Sequence, residues 1–244
     1  MAKRLGIIAH RYARPLFEGL RTCNEPLFDI VEDAAAQLSI KLRQQLLNGA
    51  FLSPIDYAKD YSHFKIIPDI AAVSEGESGI ILMLFHEHAR EIRTLAADPA
   101  MSTEIVLASI ILSEKFDTKI SIVPSTLSVE DSLQKADAVL AVGDAAHAIR
   151  DHTNKLDLVD EWKDITDLPF VHGMWVVREG GLTEKEIDQV CTASLQSGKN
   201  LSDVSERISY KFDERAVAAL NEFYRMAYYH GILKDIPDVK FIER

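Results

Sequence analysis

The residues best suited to chemistry lie directly after the first apolar run of the sequence. This short segment carries an imidazole, a phenol and two guanidinium groups, from His10, Tyr12, Arg11 and Arg14. An imidazole and a phenol can exchange protons with a bound molecule, and guanidinium groups pair with carboxylates. Pro15 favours a helix start at this point, and a helix N-terminus attracts anions by itself. We therefore expect a site for a small anionic metabolite here, the alternative being a solvated basic turn.

Three more segments place hydroxyl or carboxyl groups where a helix is predicted to begin. Ser53 precedes a proline, and Ser102 and Thr103 open a long helical pattern, so their hydroxyls and free backbone N–H groups could hold a carboxylate. Asp144 follows Gly143, which would let a ligand approach the backbone closely. The simpler interpretation of each segment is a helix N-cap, and the pattern alone leaves both interpretations open.

These segments need a framework that brings them together. Short apolar runs alternate with helical patterns, beginning with a predicted strand at residues 5–9 and a helix at residues 14–21. Such alternation favours mainly parallel sheets with helices on both faces. Sheets of this kind bind ligands beyond the carboxyl ends of their strands, where all four segments are predicted to lie. The sequence therefore predicts an α/β protein with a ligand cleft.

The alternating pattern restarts after Phe85, which indicates two lobes. We assign residues 1–85 and 172–244 to the first lobe and residues 86–171 to the second, with the ligand cleft between them. The C-terminal part is predicted to be wholly helical, at residues 183–197, 201–208 and 213–230.

Composition limits the partners of the chain. Its 244 residues carry a formal net charge of −11, which disfavours nucleic acid and anionic membranes as partners. We predict no membrane span, because no apolar stretch reaches the length of about eighteen residues that a span needs. The two cysteines, Cys23 and Cys191, are consistent with a reducing compartment, and the N-terminal apolar run is too short for a signal peptide. We therefore expect a cytoplasmic protein, of undetermined oligomeric state.

The sequence lacks the common nucleotide and metal motifs. It contains no GxGxxG fingerprint, no P-loop and no GxSxG elbow. His86 and His88 are two residues apart, whereas a helical zinc motif needs two histidines four apart. We expect neither a metal nor another cofactor.

One stretch of the sequence resembles a known family. Residues 156–164 read Leu-Asp-Leu-Val-Asp-Glu-Trp-Lys-Asp, followed by Leu-Pro-Phe-Val at residues 168–171 and by Trp175. This stretch resembles a signature of the menaquinone biosynthesis family of the futalosine pathway, which includes chorismate dehydratase and, more distantly, dihydroxynaphthoate synthase. Weaker likenesses follow in order along nearly the whole chain, at Pro15-Leu16-Phe17, Leu52-Ser53-Pro54, Ser74, Asp98-Pro99 and Gly143-Asp144.

The resemblance implies a two-lobed periplasmic-binding-protein fold of type II and a pocket to which Ser74 contributes. Three pocket positions depart from the family pattern. Tyr12 stands where the family has Asn, Glu104 stands where it has Ser, and Ile80 stands where a pocket serine is expected. These departures place a phenol and a carboxyl group in the predicted cleft and predict an altered substrate specificity.

The resemblance further implies a lyase that dehydrates chorismate or a related cyclic carboxylate, with aromatisation supplying much of the drive. His10 and Tyr12 would be its base and acid. The predicted substrate contacts are Arg11, Arg14, Ser53, Ser74, Ser102, Thr103, Glu104 and Asp144. Two alternatives remain open: a non-catalytic binding protein or sensor for a small carboxylate, and an enzyme of the same family with another substrate.

Overall fold

The computed structural model describes residues 2–22, 28–87, 91–198 and 207–243. These residues form the strands β1 (Lys3–Ile7), β2 (Phe28–Glu32), β3 (Gly49–Leu52), β4 (Phe64–Ser74), β5 (Ile81–Phe85), β6 (Thr94–Ala97), β7 (Ser121–Pro124), β8 (Ala138–Val142), β9 (Lys155–Asp157), β10 (Phe170–Arg178) and β11 (Ile208–Phe212). They also form the helices α1 (Arg14–Thr22), α2 (Ala35–Arg43), α3 (Pro54–Ala58), α4 (Ser102–Phe116), α5 (Val129–Leu133), α6 (Asp144–Ile149), α7 (Leu158–Thr166), α8 (Glu184–Gly198) and α9 (Glu214–Tyr229), and a 3₁₀ turn at Tyr61–His63.

The strands form two mixed sheets. The first has the order β11-β4-β10-β3-β1-β2, in which β1 runs parallel to β2 and β3, while β10 is antiparallel to β3 and β4. The second has the order β7-β6-β8-β5-β9, in which β6 runs parallel to β7 and β8, while β5 is antiparallel to β8 and β9. The prediction of mainly parallel sheets therefore holds for the strands of the βα units. It is wrong for β5 and β10, which enter each sheet in the reverse direction after the chain has crossed from the other sheet.

The chain leaves the first sheet earlier than the sequence predicts. The sequence pattern assigns residues 1–85 to one lobe, but β5 pairs with β8 and β9 of the second sheet. The crossing lies between Ser74 and Ile81, at a turn where Gly76 and Gly79 adopt positive φ angles of 72° and 69°. A short apolar run fits either sheet equally well, so hydrophobicity alone could not assign β5. The wider division of the chain into two lobes stays a prediction.

The C-terminal part contains a strand where the sequence predicts only helices. Of the helix predicted at residues 201–208, residues 201–206 lie outside the described part of the chain, and Ile208 begins β11. β11 pairs antiparallel with β4 at the edge of the first sheet. Its five residues alternate apolar and polar side chains, a pattern typical of a half-buried strand. The flanking helices α8 and α9 agree with the prediction.

Large aromatic side chains pack the first sheet against its helices. Phe17 of α1, Phe51 of β3 and Trp175 of β10 contact one another edge to face, with ring centroids between 5.3 and 5.8 Å apart. Gly173 lies beside this cluster, where an added Cβ atom would come within 2.4 Å of Phe51 Cε1. The close packing fixes the position of α1 relative to β3 and β10.

The segment that resembles the known family forms the return crossing to the first sheet. Asp157 caps α7 by accepting two backbone N–H groups of its first turn. Trp162 Nε1 donates to the carbonyl of Pro169 at 3.0 Å, and its ring packs edge to face against Phe170 and Phe223. These tryptophan and proline positions therefore anchor the crossing.

One apolar core extends from the first sheet into the second. It includes Leu5 and Phe51 from the first sheet together with Leu107 of α4 and Leu140 of β8. A smaller apolar cluster covers the opposite face of the second sheet. Within the described residues, no helix combines the length and the apolar character that crossing a bilayer requires.

Candidate functional site

A cavity of about 420 Å³ opens where the first sheet meets the start of α4. Its lining comes from the loops after β1, β2 and β3 and from the residues that lead into α4: Ile8, Ala9, His10, Tyr12, Glu32, Asp33, Ala34, Ala35, Ser53, Asp98, Ala100, Met101 and Glu104. Because β1, β2 and β3 run parallel, these loops leave the same edge of the sheet, where such sheets bind ligands. Of the predicted site residues, the structure brings His10, Tyr12, Ser53 and Glu104 into this lining.

The loop after β1 presents two aromatic rings to the cavity. The rings of His10 and Tyr12 stack with their centroids 5.2 Å apart and their planes 10° apart. Burial lowers the pKa of His10, although Asp144 acts in the opposite direction, so the imidazole is neutral near pH 7. Burial, with Glu104 adding to it, raises the pKa of Tyr12 well above its usual value. His10 can therefore accept a proton, and Tyr12 can donate a hydrogen bond.

Glu104 lies in the first turn of α4 and lines the cavity, although only 5 % of its surface is exposed. Removal from water disfavours the carboxylate, and the nearby charge of Asp56 adds to this effect, so the pKa of Glu104 rises to about 7. Both protonation states are therefore populated near neutral pH. Such a group can accept a proton and return it, which goes beyond the substrate contact that the sequence predicts.

The hydroxyl groups predicted to hold a carboxylate are engaged with each other. Thr103 Oγ1 donates to Ser53 Oγ at 2.9 Å and accepts from the backbone N–H of Ile55 at 3.0 Å. Ser53 Oγ in turn donates to Asp56 Oδ2 at 2.8 Å. Each hydroxyl proton is thus already used within the protein. These bonds form a polar link between α3 and α4, and the carboxylate cradle stays a prediction.

Asp56 is the acceptor that organises this link. Its side chain is fully buried, and its Oδ1 accepts from Lys59 Nζ at 2.7 Å and from Ser102 Oγ at 3.3 Å. A buried carboxylate is tolerated only with such partners. Ser102 is absent from the described cavity lining, and its contact with the substrate stays a prediction.

Neither of the two predicted arginines belongs to the described lining of the cavity. Arg11 lies in the loop after β1, and Arg14, which is exposed, begins α1. That at least one of them holds the substrate carboxylate stays a prediction. Arg11 and Arg14 are close to His10 and Tyr12 in the sequence, but this closeness does not place their guanidinium groups in the described lining.

Carboxylates dominate the charged part of the lining. Glu32, Asp33 and Asp98 all border the cavity. Arg21 pairs with Glu32 and Lys41 pairs with Asp33, each at 2.5 Å. Ion pairs therefore partly neutralise two of these three carboxylates. Among the described lining residues there is no Lys or Arg. A bound anion would have to be held by neutral donors.

Ser74 and Asp144 lie next to the cavity rather than in its described lining. Ser74 Oγ forms a hydrogen bond with His172 Nε2 at 2.6 Å. Asp144 is exposed at the start of α6, close enough to His10 to favour its protonated form. A Cβ added to Gly143 would lie 3.4 Å from His10 Nδ1. The structure thus brings the loop that carries His10 close to the segment that carries Gly143 and Asp144.

His172 is a further residue of the site that the sequence pattern does not predict: it is only 1 % exposed, and its ring lies 5.1 Å from that of Tyr12. Burial, with His10 adding to it, lowers the pKa of His172 to about 3, so its imidazole is neutral at physiological pH. Among the described residues its Nδ1 has no hydrogen-bond partner. A histidine inside the apolar run of β10 was the available signal, because fully buried strand positions rarely carry one.

No group of three or more His, Cys, Asp or Glu side chains within the described ranges is placed to hold a metal ion. His86 Nε2 contacts the carbonyl of Leu133. His88 lies outside the described residues.

Proteins of known structure share this fold at low sequence identity. AF1704 from Archaeoglobus fulgidus matches with a TM-score of 0.70 and 16 % identity, over 94 % of this chain and 98 % of that chain. The periplasmic aliphatic sulphonate binding protein SsuA from Escherichia coli matches with a TM-score of 0.64 and 13 % identity, over 98 % and 95 %. A Candida albicans gene product with the generic periplasmic binding protein fold matches with a TM-score of 0.65 and 10 % identity, over 98 % and 93 %. The predicted fold class is confirmed.

A family model described as menaquinone biosynthesis matches residues 3–208. The match includes every loop that lines the cavity and the whole of β10. It agrees with the resemblance carried by residues 156–171 and Trp175. The chain therefore belongs to the menaquinone biosynthesis family.

Proposed function

We propose that this protein is a cytoplasmic lyase of menaquinone biosynthesis that dehydrates chorismate or a related cyclic carboxylate. The observation that carries the proposal is a carboxyl group with a pKa of about 7, Glu104, in the same cavity as a neutral imidazole, His10, and a protonated phenol, Tyr12. Such a set can remove one proton and donate another near neutral pH. Membership of the family supports the pathway.

Dehydration breaks one C–H bond and one C–O bond of the substrate ring. A base accepts the ring proton, the electron pair of that bond forms a new ring double bond, and the hydroxyl leaves with a proton from an acid. Water is the second product, the ring becomes aromatic, and no oxidant is needed. We assign proton acceptance to His10 and proton donation to Glu104 in its protonated form, with Tyr12 donating a hydrogen bond that orients the substrate.

The size and charge of the cavity support a compact substrate. Its volume of about 420 Å³ suits a single-ring molecule. With no Lys or Arg in the described lining, a substrate carboxylate would be held by the Tyr12 phenol and by the N-terminus of α4. Protonated Glu104 also removes a negative charge that would repel the substrate.

The proposal is tested by incubating purified protein with chorismate and following the carboxyvinyloxy-benzoate product by chromatography. Glu104→Gln keeps the shape of the side chain but cannot transfer a proton, so turnover should fall by about 10²–10⁴. Glu114→Gln is the matched control, because Glu114 lies on the same helix but pairs with His230 outside the cavity. Its turnover should equal that of the wild type.

Two outcomes would contradict the proposal. If chorismate binds without being turned over, the protein is a binding protein or sensor for a small carboxylate. If neither chorismate nor a related cyclic carboxylate binds, the acidic lining selects another class of substrate.

We also propose that the reaction needs no metal, redox cofactor or macromolecular partner. The chemistry is redox-neutral, and the net charge of −11 supports a small-molecule partner rather than a nucleic acid or a membrane. Turnover should therefore survive dialysis against a chelator. Loss of turnover that zinc or magnesium restores would contradict this part of the proposal. Cell fractionation tests the cytoplasmic location.

A further inference from the structure

A second cavity, of about 280 Å³, lies at the opposite end of the first sheet from the candidate site. Its lining contains the cationic side chains of Arg43, Lys65, Arg178 and Lys240, together with His63, and the carboxylate of Glu179. We name this cavity the basic pocket. It shares no lining residue with the candidate site.

The charge of the basic pocket is opposite to that of the chain. The whole sequence has 38 acidic and 27 basic residues. In the described lining of the pocket, four Lys or Arg side chains face a single carboxylate. Gathering like charges around a concave surface costs free energy, which a bound anion would offset.

Tertiary structure creates this cluster from distant segments. Arg43 ends α2, Lys65 lies near the start of β4, and Arg178 ends β10. The C-terminal tail adds Lys240, and backbone hydrogen bonds of 2.7 and 3.0 Å between the tail and Ile66 of β4 hold it in place. The positive charge of the pocket therefore does not come from a single run of basic residues on the surface.

Much of the positive charge in the pocket is poorly compensated. Arg178 Nε is buried and has no hydrogen-bond partner among the described residues. Arg43 reaches Asp60 only at 3.4 Å, and Lys240 reaches Asp238 only at 3.8 Å. Buried N–H donors in native proteins are nearly always paired. A bound anion would offset the charge of these weakly paired side chains.

We propose that the basic pocket binds the phosphate group of a small metabolite. A phosphate group carries up to two negative charges at neutral pH, and its oxygens accept from both guanidinium and ammonium donors. A single carboxylate would offset only one of the four cations. This inference does not depend on the proposed lyase activity, because the two cavities are separate.

The test is calorimetric titration of the protein with inorganic phosphate, with sodium chloride adjusted to hold the ionic strength constant. Wild type should bind phosphate saturably. Arg178→Gln and Lys65→Gln should each weaken binding by about tenfold or more, the usual effect of losing a charge-assisted hydrogen bond. Arg93→Gln is the matched control, because Arg93 is exposed beside the second sheet, where it pairs with Glu91. It should bind as wild type does.

Titrations with other anions distinguish a phosphorylated metabolite from the free phosphate ion. Tighter binding of glycerol phosphate than of inorganic phosphate supports a phosphorylated metabolite, and equal binding supports the free ion. Citrate bound as tightly as phosphate would overturn the assignment to phosphate. Heats equal to those of sodium chloride, or unchanged binding in both pocket variants, would overturn the site. If Arg178→Gln does not fold, Lys240→Gln on the exposed tail provides the same comparison.

Discussion

Burial sets the chemistry of the individual side chains around the cavity. It raises the pKa of Glu104 to about 7 and lowers that of His172 to about 3. The two shifts have opposite directions and one cause, since water stabilises the charged form of each group and the protein interior does not. Tyr12 follows the same rule and keeps its proton. Burial therefore favours the neutral form of each of these groups, and Glu104 changes its charge near pH 7.

Turnover should fall as the pH rises through about 7, because ionised Glu104 cannot donate a proton. It should also fall on the acidic side, below the lowered pKa of His10, where the imidazole becomes protonated. The pH profile of kcat/KM measures both limbs. If the alkaline limb persists unchanged in the residual activity of Glu104→Gln, another group is the donor.

Thr103→Val should lower the free energy of unfolding by about 1–3 kcal/mol, because it leaves the buried N–H of Ile55 without its acceptor. The substitution preserves shape, and urea unfolding measures the loss. Thr118→Val is the control, since that hydroxyl bonds a carbonyl at the exposed end of α4 and its loss should cost much less. Substrate affinity should change little, because the hydroxyl proton of Thr103 is directed at Ser53. Equal stability of the two variants would argue against the link between α3 and α4.

Two elements, α4 and β10, position the site. The first turn of α4 carries Glu104 into the cavity and Thr103 into the polar link, so one helix start serves both chemistry and stability. β10 returns to the first sheet between β3 and β4 and places the ring of His172 5.1 Å from the ring of Tyr12. β10 can lie this close to β3 because Gly173 has no side chain that would collide with Phe51. A substitution of Gly173 therefore tests how β10 is positioned.

Gly173→Ala should destabilise the protein by about 1–3 kcal/mol, the usual cost of overpacking. The new Cβ would lie 2.4 Å from Phe51 Cε1 and 3.1 Å from the carbonyl oxygen of Leu52. Phe51→Leu removes the nearer of these contacts, so the double variant should be more stable than the sum of the single effects predicts. Chemical unfolding of all four proteins measures this coupling, and strict additivity would rule out the proposed clash.

The whole molecule joins two sheets through one apolar core and through the buried polar link at Asp56. The free energy of unfolding therefore depends on groups at the junction of the two sheets, including Glu104. The alternating pattern of strands and helices was enough to predict an α/β fold, and the segment around Trp162 was enough to indicate the family. The sequence did not predict β11, and it placed β5 in the wrong sheet, because a five-residue run contains too little information to select its pairing partner.

The stability difference between Glu104→Gln and the wild type should depend on pH. The carboxyl of Glu104 has its ordinary pKa of 4.5 in the unfolded chain and a pKa of about 7 in the folded protein. Between these values the folded protein holds a proton that the unfolded chain has released, so the stability of the wild type falls as the pH rises through this window. Glu104→Gln has no such carboxyl group. Its free energy of unfolding, compared with that of the wild type, should therefore rise by up to about 3 kcal/mol as the pH increases across this window. Urea unfolding across the window measures the difference, and a difference that does not change with pH would argue against the raised pKa of Glu104.

His172 contributes to pH dependence with the opposite sign. Its pKa falls from an ordinary 6.5 to about 3 in the folded protein, so its contribution to stability is present above 6.5 and is lost as the pH falls toward 3. Comparing Glu104→Gln with wild type isolates the carboxyl group, because both proteins retain His172.

The sequence by itself determined which loops meet at the candidate site. Parallel strands end at one edge of a sheet, so segments after β1 and β3 had to converge there whatever their side chains, and His10, Tyr12 and Ser53 were found on that basis. Only the tertiary structure decided what each side chain does. It engaged Thr103 with Ser53, left Arg11 out of the described lining and gathered the cations of the basic pocket. The physical reason is that hydrogen-bond partners and burial belong to neighbours distant in sequence, which no local pattern encodes.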